Sequence, residues 1–241
     1  MAKNSAIIIG AGDATGGAIA RRFARGGLAC ICTRRTEEAV RPLVESIRGE
    51  GHVAHAIGCD ARSEDEMRSL FDWAETEVAP VGAVVFNIGA NVRFPITETT
   101  SRVYRKVWEM AAFAGFLAGR EAARVMQPRQ SGTIIFTGAT ASVRGASGFS
   151  AFVGAKFALR ALAQSMAREL GPKGIHVAHA IIDGAIDTAF IRDNFPDRYA
   201  LKDEDGILDP DAIADSYWTI HTQPRSAWTH ELDLRPWMET F

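Results

Sequence analysis

A glycine-rich turn near the amino terminus carries the first residues that could do chemistry. Gly10–Gly17 reads Gly-Ala-Gly-Asp-Ala-Thr-Gly-Gly, follows a short apolar run and leads into a helical pattern. Glycine permits positive φ and lets the backbone approach an anion, which the N-terminus of the next helix also attracts. The order strand, turn, helix predicts a dinucleotide phosphate site, and the alternative is a structural turn in an unrelated α/β fold. The residues expected to line this site are Gly10, Gly12, Asp13, Ala14, Thr15 and Gly16.

Short apolar runs alternate with segments of helical periodicity along the whole chain. Several runs are apolar at consecutive positions, which is typical of strands buried on both faces of a parallel sheet. We therefore predict an α/β fold, a single-domain Rossmann-like doubly wound parallel sheet of about seven strands with helices on both faces. The predicted strands are Ser5–Gly10, Ala29–Thr33, His52–Ile57, Gly82–Asn87, Thr133–Gly138, His176–Ile182 and a possible edge strand at Thr229–Leu234. The predicted helices are Gly16–Arg25, Glu37–Glu50, Glu64–Val78, Arg102–Met126 and Phe152–Leu170.

Charge and cysteine content narrow the classes of function. Lys+Arg 27 against Asp+Glu 29 gives a net charge of -2, so we expect neither nucleic acid nor a membrane as a partner. The first apolar run is too short for a secretory signal, and the sequence predicts a cytoplasmic protein forming one domain over residues 1–241. Cys30, Cys32 and Cys59 suit reduced thiols better than disulfides, and Cys30 and Cys32, on one face of a predicted strand, suit buried packing better than metal binding.

Two segments interrupt the alternation of strands and helices. Phe190–Gly206 is polar and charged, carries Pro196 and follows the last buried strand, so we expect a mobile substrate loop over about residues 189–206. The tail, Trp228–Phe241, ends in aromatic residues that we expect to pack on the body or on a partner subunit.

The turn resembles that of the short-chain dehydrogenase/reductase family, which reads Thr-Gly-x-x-x-Gly-x-Gly. Gly10 and Gly16 match the first and third glycines, Ala14 stands at the second, and Ile9 replaces the threonine. Downstream, Asp60 follows the third strand like the family's adenine-contacting aspartate, and Asn87-Ile88-Gly89 matches the end of its Asn-Asn-Ala-Gly. Asp183–Thr188 resembles its Pro-Gly-x-x-x-Thr without the proline. The cofactor-binding residues implied by this resemblance, which spans residues 5 to 235, are Asp60, Ala61, Asn87, Gly89, Gly184, Ile186 and Thr188.

Two arginines follow the second predicted strand, where the resemblance places the adenosine ribose. Arg34 and Arg35 favour a 2′-phosphate, since a guanidinium fork matches phosphate oxygens, whereas a carboxylate there would bind a free 2′-hydroxyl. Asp13 would repel that phosphate. We therefore expect NADP(H) rather than NAD(H), and the alternative for the arginines is a solvated strand end.

Resemblance to this family implies hydride transfer supported by an Asn-Ser-Tyr-Lys tetrad, with Tyr and Lys one helical turn apart. In such enzymes the tyrosine donates a proton, serine holds the carbonyl, lysine binds the nicotinamide ribose and asparagine supports a water relay. Here Phe152 stands at the tyrosine position, Ala139 at the serine position and Ala112 at the asparagine position. Lys156 is retained and is expected to contact the ribose, unless it is a surface lysine that snorkels out of the helix.

Three polar residues near these positions are candidates for the missing groups. Thr140 and Ser142 could orient a carbonyl, and Asp183 could act as an acid if it is buried. His176 and His179 lie three apart on a strand and face opposite sides, so we expect no metal site there.

The sequence thus supports two functions. The first is an NAD(P)-dependent oxidoreductase acting on a small organic carbonyl or alcohol with an atypical active site. The second is a catalytically weak or inactive dinucleotide-binding protein, acting as a sensor or partner subunit. The glycine turn argues against a purely structural domain.

We also expect a homodimer or homotetramer, because relatives commonly pair through the two long helices Arg102–Met126 and Phe152–Leu170. The small side chains predicted to allow this close packing are Ala111, Ala114, Ala118 and Ala122.

Overall fold

A seven-stranded parallel sheet lies at the centre of the computed structural model, which describes residues 2–240. Its strand order is β3-β2-β1-β4-β5-β6-β7, and every neighbouring pair is parallel. The strands are Ser5–Ile9 (β1), Ala29–Arg34 (β2), Ala54–Gly58 (β3), Val81–Phe86 (β4), Gly132–Thr137 (β5), Ile175–Ile182 (β6) and Glu231–Leu234 (β7). The predicted doubly wound α/β fold is confirmed, and each predicted strand is present to within two residues.

Helices cover both faces of the sheet, which explains the continuous apolar runs. Along β1, Ala6 and Ile8 pack into one core while Ile7 and Ile9 pack into the other, as the alternation of strand side chains requires. The helices are Thr15–Arg25 (α1), Arg41–Gly49 (α2), Glu64–Trp73 (α3), Ser101–Trp108 (α4), Ala114–Met126 (α5), Ser150–Leu170 (α6), Ala189–Asn194 (α7), Pro196–Tyr199 (α8) and Pro210–Thr222 (α9). Helices α4 and α5 are joined by a π-helical turn at Glu109–Phe113.

The strand order reverses between β1 and β4, which are adjacent in the sheet although β2 and β3 separate them in the chain. At such a point the loops after neighbouring strands diverge to opposite faces and leave a crevice at the carboxyl edge. The turn after β1 and Asn87, which follows β4, both lie at this crevice.

The segment expected to be a loop, residues 189–206, is mostly helical, so that part of the prediction is wrong. The Thr188 hydroxyl accepts a hydrogen bond from the Ile191 N–H and caps α7, while Pro196 begins α8. Proline was read as a loop signal, but at the first helical position it costs no hydrogen bond. The same signal was missed at α9, where Asp209 caps the helix just before Pro210. Mobility of this segment stays a prediction.

The alanine stripe expected at a subunit interface faces the protein's own interior. Ala111, Ala114, Ala118 and Ala122 are completely buried, and the last three pack against the sheet. The prediction that these alanines mediate assembly is therefore wrong, because the close approach they permit is that of the sheet. Exposed aromatic side chains lie elsewhere on the same two helical segments, at Tyr104, Trp108, Phe116 and Phe157.

The carboxyl-terminal part of the chain completes the sheet and then folds back on the body. His179 on β6 pairs with Glu231 on β7, and Arg160 from α6 forms a bidentate salt bridge with the same Glu231 carboxylate. Trp237 is largely exposed, yet its indole N–H donates to the Glu204 carbonyl oxygen at 2.9 Å. Phe241 lies outside the described residues.

Two further sequence expectations can be compared with the structure. Cys30, Cys32 and Cys59 are free thiols, and the predicted burial of Cys30 and Cys32 is confirmed; Cys59 is buried as well. No helix within residues 2–240 is long and apolar enough to cross a bilayer.

Candidate dinucleotide site

The glycine turn between β1 and α1 is held by backbone contacts that admit no side chain. Gly10 has φ +88°, and a Cβ on it would lie 2.7 Å from the Asn87 carbonyl oxygen. A Cβ on Gly16 would lie 2.4 Å from the Gly10 carbonyl oxygen. The Asn87 Nδ2 donates to that same oxygen at 3.2 Å and so ties the end of β4 to the turn. Above Gly12, by contrast, there is open space within 4 Å.

One end of the crevice is a cavity of 280 Å³ beside the ends of β2 and β3. Arg34 and Arg35 line it and are exposed. Arg62 donates to both oxygens of the Asp60 carboxylate, at 2.9 and 2.6 Å, and these hydrogen bonds lower the pKa of Asp60. Because Asp60 is already engaged by Arg62, the guanidinium groups of Arg34 and Arg35 remain open to an anion.

The other end is a cavity of 590 Å³ that runs from the glycine turn to α6. It shares Gly10, Gly12, Asn87, Ile88 and Gly89 with the smaller cavity. The two cavities therefore form one elongated cleft bent around the turn, which is the shape that a dinucleotide requires.

Lys156 lies at the bottom of the larger cavity and is only 2% exposed, so the alternative of a surface lysine is wrong. Its Nζ donates to the carbonyl oxygens of Ile88 and Thr137 at 3.1 and 2.8 Å. Burial lowers the pKa of Lys156 to about 8. Two of the three ammonium hydrogens are thus donated to backbone carbonyl oxygens, and the third can be donated to a ligand.

The wall beside Lys156 is apolar. Phe152 lies one helical turn before Lys156 and lines the cavity, with its ring centroid 5.8 Å from Nζ. Ala139 also lines the cavity, whereas Ala112 is buried away from it. None of these three side chains can donate or accept a hydrogen bond.

The two candidate hydroxyls near the serine position have different surroundings. Thr140 lines the cavity and donates its hydrogen to the carboxylate of Asp183. Ser142 is completely buried, does not line the cavity, and accepts a hydrogen bond from the Ala139 N–H at 3.1 Å. The structure thus brings Thr140 to the cavity and leaves Ser142 in the wall behind it.

Asp183 is buried behind Thr140 and does not line the cavity itself. Arg144 Nη2 lies 3.7 Å from one carboxylate oxygen and Arg235 Nη1 lies 3.6 Å from the other. Toward this cavity the carboxylate is therefore screened by Thr140, although Asp183 lines a separate depression on the other side.

Most of the cofactor-binding residues expected from the sequence line one of the two cavities. Asp13, Ala14, Thr15, Gly184 and Ile186 line the larger cavity, and Asp60 and Ala61 line the smaller one. Thr188 lines neither of them, because its hydroxyl caps α7 at a separate surface depression.

Among the cleft-lining residues that sequence reasoning missed, four carry charged, amide or aromatic side chains: Arg62, Asn91, Arg144 and Phe149. All four lie in loops, where spacing alone gives no direction for a side chain. Within residues 2–240 no group of three or more His, Cys, Asp and Glu side chains is placed to hold a metal ion.

Comparison with known proteins reveals similarity over most of the chain. The family model for short chain dehydrogenases matches residues 4–198. A crystal structure of a short-chain dehydrogenase from Rhodopseudomonas palustris is 48% identical, covers 98% of this chain and 99% of its own, and superposes with a TM-score of 0.84.

Two other similarities are more distant. The short chain aldehyde dehydrogenase 1 of Euphorbia lathyris is 29% identical over 174 residues, which is 71% of this chain and 60% of that relative's length. A metagenomic short-chain oxidoreductase, crystallised in complex with NADP, has the same fold with a TM-score of 0.83 at 22% identity, covering 99% of both chains.

Proposed function

Because the chain belongs to the short-chain dehydrogenase/reductase family, we propose that it is a dinucleotide-dependent oxidoreductase that transfers a hydride to or from a small organic carbonyl or alcohol. The observation that carries this proposal is the continuous cleft, which joins the glycine turn to the buried Lys156. Burying the Lys156 ammonium at the far end of this cleft costs free energy, and a bound dinucleotide that accepts a hydrogen bond from it would offset part of that cost.

The residues present fit a dinucleotide. The turn leaves no room for a Cβ at Gly10 or Gly16 but leaves open space above Gly12, where a pyrophosphate would approach the N-terminus of α1. Lys156 would hold the nicotinamide ribose with its remaining N–H. When bound, the nicotinamide ring supplies or accepts the hydride.

NADP(H) is the cofactor that the charge distribution favours. Arg34 and Arg35 form an exposed cationic pair at the smaller cavity, where the adenosine would bind. The Asp60 carboxylate there already forms a salt bridge with Arg62. The NADP found in the metagenomic neighbour shows that this fold accommodates a 2′-phosphate in that protein. Asp13 lies in the glycine turn, and its charge opposes binding of the phosphates.

Proton transfer at the reaction end must differ from that of a tyrosine-dependent enzyme. Thr140 gives its hydrogen to Asp183, so the lone pairs that remain on its oxygen accept a hydrogen bond from a substrate hydroxyl. Lys156 holds the only ammonium among the described residues that line the cavity. We propose that Thr140 positions the hydroxyl oxygen of an alcohol substrate or product, and that the proton of this hydroxyl is exchanged with solvent water through the open cleft.

A second candidate function is dinucleotide binding without turnover. The apolar side chains at Phe152, Ala139 and Ala112 favour it, because the loss of a general acid lowers a rate by about 10² to 10⁴. In this case the protein acts as a sensor or as the partner of another subunit.

A thermal-shift titration with NADPH, NADP, NADH and NAD tests cofactor binding directly. A nucleotide at 100 times its Kd stabilises a fold by about 2.7 kcal/mol. For a protein of this length, that free energy raises Tm by roughly 5 to 10 °C. We expect this shift with NADPH or NADP at lower concentrations than with NADH or NAD.

The variant Arg34→Gln/Arg35→Gln tests why the phosphorylated nucleotides bind. Loss of two charge-assisted contacts should weaken NADPH about 10²-fold and leave the affinity for NADH nearly unchanged. Arg168→Gln, on the exposed far end of α6, is the matched control and should change neither affinity. An equal loss for both nucleotides would show that the arginines do not read the 2′-phosphate. If none of the four nucleotides shifts Tm, the proposed function is wrong.

A further inference from the structure

The part of the larger cavity that lies beyond Lys156, here called the substrate half, is mostly apolar but has one cation, Arg144, at its edge. Its walls beyond Lys156 include Ala139, Ala141, Phe149, Phe152 and Val153. A substrate rich in hydroxyl groups would leave most of them without partners on these walls, at a cost for each one. The walls therefore select a largely apolar body.

Arg144 also lines this cavity, and its side chain is 44% exposed. Its guanidinium contacts Asp183 at 3.7 Å, which is longer than a hydrogen bond. Within residues 2–240 the N–H groups of this guanidinium form no hydrogen bond. Arg144 thus offers a fork of donors to a ligand.

The negative charge nearest to Arg144 does not face the cavity. Asp183 is 3% exposed, accepts the Thr140 hydroxyl and is also approached by Arg235. Among the described residues that line the cavity, Asp13 carries the only carboxylate, and it lies in the glycine turn at the phosphate end. A ligand in the substrate half therefore meets a cation and no anion.

A second arginine, Arg93, contacts Phe149 in the cavity wall without lining the cavity itself. The Arg93 guanidinium lies over the ring of Phe149, 5.8 Å from its centroid, and the Phe94 N–H donates to the Gly148 carbonyl oxygen at 2.8 Å. These contacts hold the loop carrying Arg93 against the loop that carries Phe149. The loop that carries Phe149 and the loop packed against it thus each carry an arginine, and Arg144 is the one that lines the cavity.

From this arrangement we propose that the substrate is a monocarboxylate with an apolar body, bound with its carboxylate on Arg144 and its body between Phe149 and Phe152. This inference rests on the proposed function, because it places the body of the substrate beside Lys156, where the nicotinamide would react. A guanidinium and a carboxylate match in a planar, bidentate arrangement, so charge and geometry both favour an acid over a neutral analogue.

The test compares ligands of the same shape and different charge on the protein with and without saturating NADPH. The probes are phenylacetate and 3-phenylpropanoate, their uncharged amides, and 3-phenylpropylamine, with Kd measured by isothermal titration calorimetry. We expect each acid to bind about tenfold or more tightly than its amide, and the amine to bind most weakly. Equal binding of acid and amide, or binding of neither, overturns the proposal.

Variants at Arg144 connect the preference to this side chain. Arg144→Gln should bring acid and amide to within about twofold, and Arg144→Glu should make the amine the preferred ligand. Arg168→Gln, which removes an exposed arginine on α6 far from this cavity, should keep the preference of the unaltered protein. A preference for acids that survives in Arg144→Gln contradicts the assignment.

NADPH titration of every variant separates the two proposals. If the unaltered protein binds NADPH but does not discriminate acids from amides, the substrate proposal is wrong and the proposed function stands. If it discriminates the acids but binds none of the four nucleotides, the proposed function is wrong and the carboxylate site stands alone.

Discussion

The two ends of the cleft are built from different parts of the polypeptide. At the phosphate end, the glycine turn, the shape is fixed mainly by the backbone of Gly10 and Ala11, packed so closely that a Cβ on Gly16 does not fit, and by one side-chain hydrogen bond from Asn87 Nδ2 to the Gly10 carbonyl oxygen. At the reaction end, the shape is set by α6 and β5, while the chemistry depends on single side chains such as Phe152 and Ala139. A side chain at the reaction end can be replaced without altering the fold around it. A close backbone contact in the turn cannot be changed without moving the chain. Substitutions at the two ends can therefore test the proposed dinucleotide binding and the proposed turnover separately.

The largest effect is expected from breaking the phosphate end. In Gly16→Ala the new Cβ meets the Gly10 carbonyl oxygen at 2.4 Å and the Ala11 Cα at 2.9 Å, and both are backbone atoms that must move. We expect the affinity for NADPH to fall by more than about 10²-fold. We also expect the free energy of unfolding to fall by about 2 to 4 kcal/mol, within the range of severe single substitutions. Calorimetric titration and urea unfolding measure the two effects.

Gly12→Ala is the matched control, because nothing lies within 4 Å of its new Cβ. It should fold as well as the unaltered protein, and any loss of NADPH affinity would then report how closely the phosphates approach this residue. Normal NADPH binding by Gly16→Ala would contradict the assignment of the turn.

Restoring polar groups at the reaction end should have the next largest effect. Phe152→Tyr combined with Ala139→Ser supplies a proton donor and a carbonyl partner beside Lys156, and we expect ketone reduction with NADPH to rise by about 10²-fold. Initial rates on a broad panel of ketones measure this gain.

Phe149→Tyr adds a hydroxyl elsewhere in the same cavity and should give no comparable gain. No gain from the double variant, at unchanged NADPH affinity, would mean that the site does not follow the tyrosine-dependent pattern at all.

The smallest effect concerns the cost of keeping Lys156 buried at the reaction end. Burial lowers its pKa from 10.5 to about 8, so between these values the unfolded chain holds the proton more tightly. Stability therefore rises with pH across this window, and Lys156→Met removes that rise. Between pH 7 and pH 10 the unaltered protein should gain about 2 kcal/mol relative to the variant, as measured by urea unfolding at each pH.

Lys106→Met, at an exposed position of α4, is the control for losing a lysine. The stability difference between the unaltered protein and Lys156→Met should change with pH. A constant difference would show that burial does not lower the pKa of Lys156.

Much of the fold could be predicted from the sequence because burial on both faces leaves a simple pattern. The five residues of β1 are all buried, and its apolar run was recognised directly. Helix α9 was missed because its start is marked by Asp209 and Pro210, residues that are equally common in loops. Spacing also showed that Ala111, Ala114, Ala118 and Ala122 share a face, but it could not show what covers that face.

The site was predicted where the backbone defines it and missed where loops define it. Gly10, Gly16 and Asn87 follow strands, so their positions at the crevice follow from the sheet. Thr140 and Ser142 are two residues apart in one short turn, and only the structure shows that Thr140 alone reaches the cavity. The sequence gives no signal for Arg144, because the direction of a loop side chain depends on contacts distant in sequence, here with Asp183.

The last strand has a consequence for aggregation. All eight residues of β6 are buried, and β7, only four residues long, covers its outer side. Glu231 and Asp233 alternate with leucines along β7, and such a short, charged strand discourages pairing with another molecule. Clipping the chain before Glu231 would expose β6 as a long apolar edge able to template intermolecular strand pairing. The carboxyl-terminal strand thus protects the solubility of the fold.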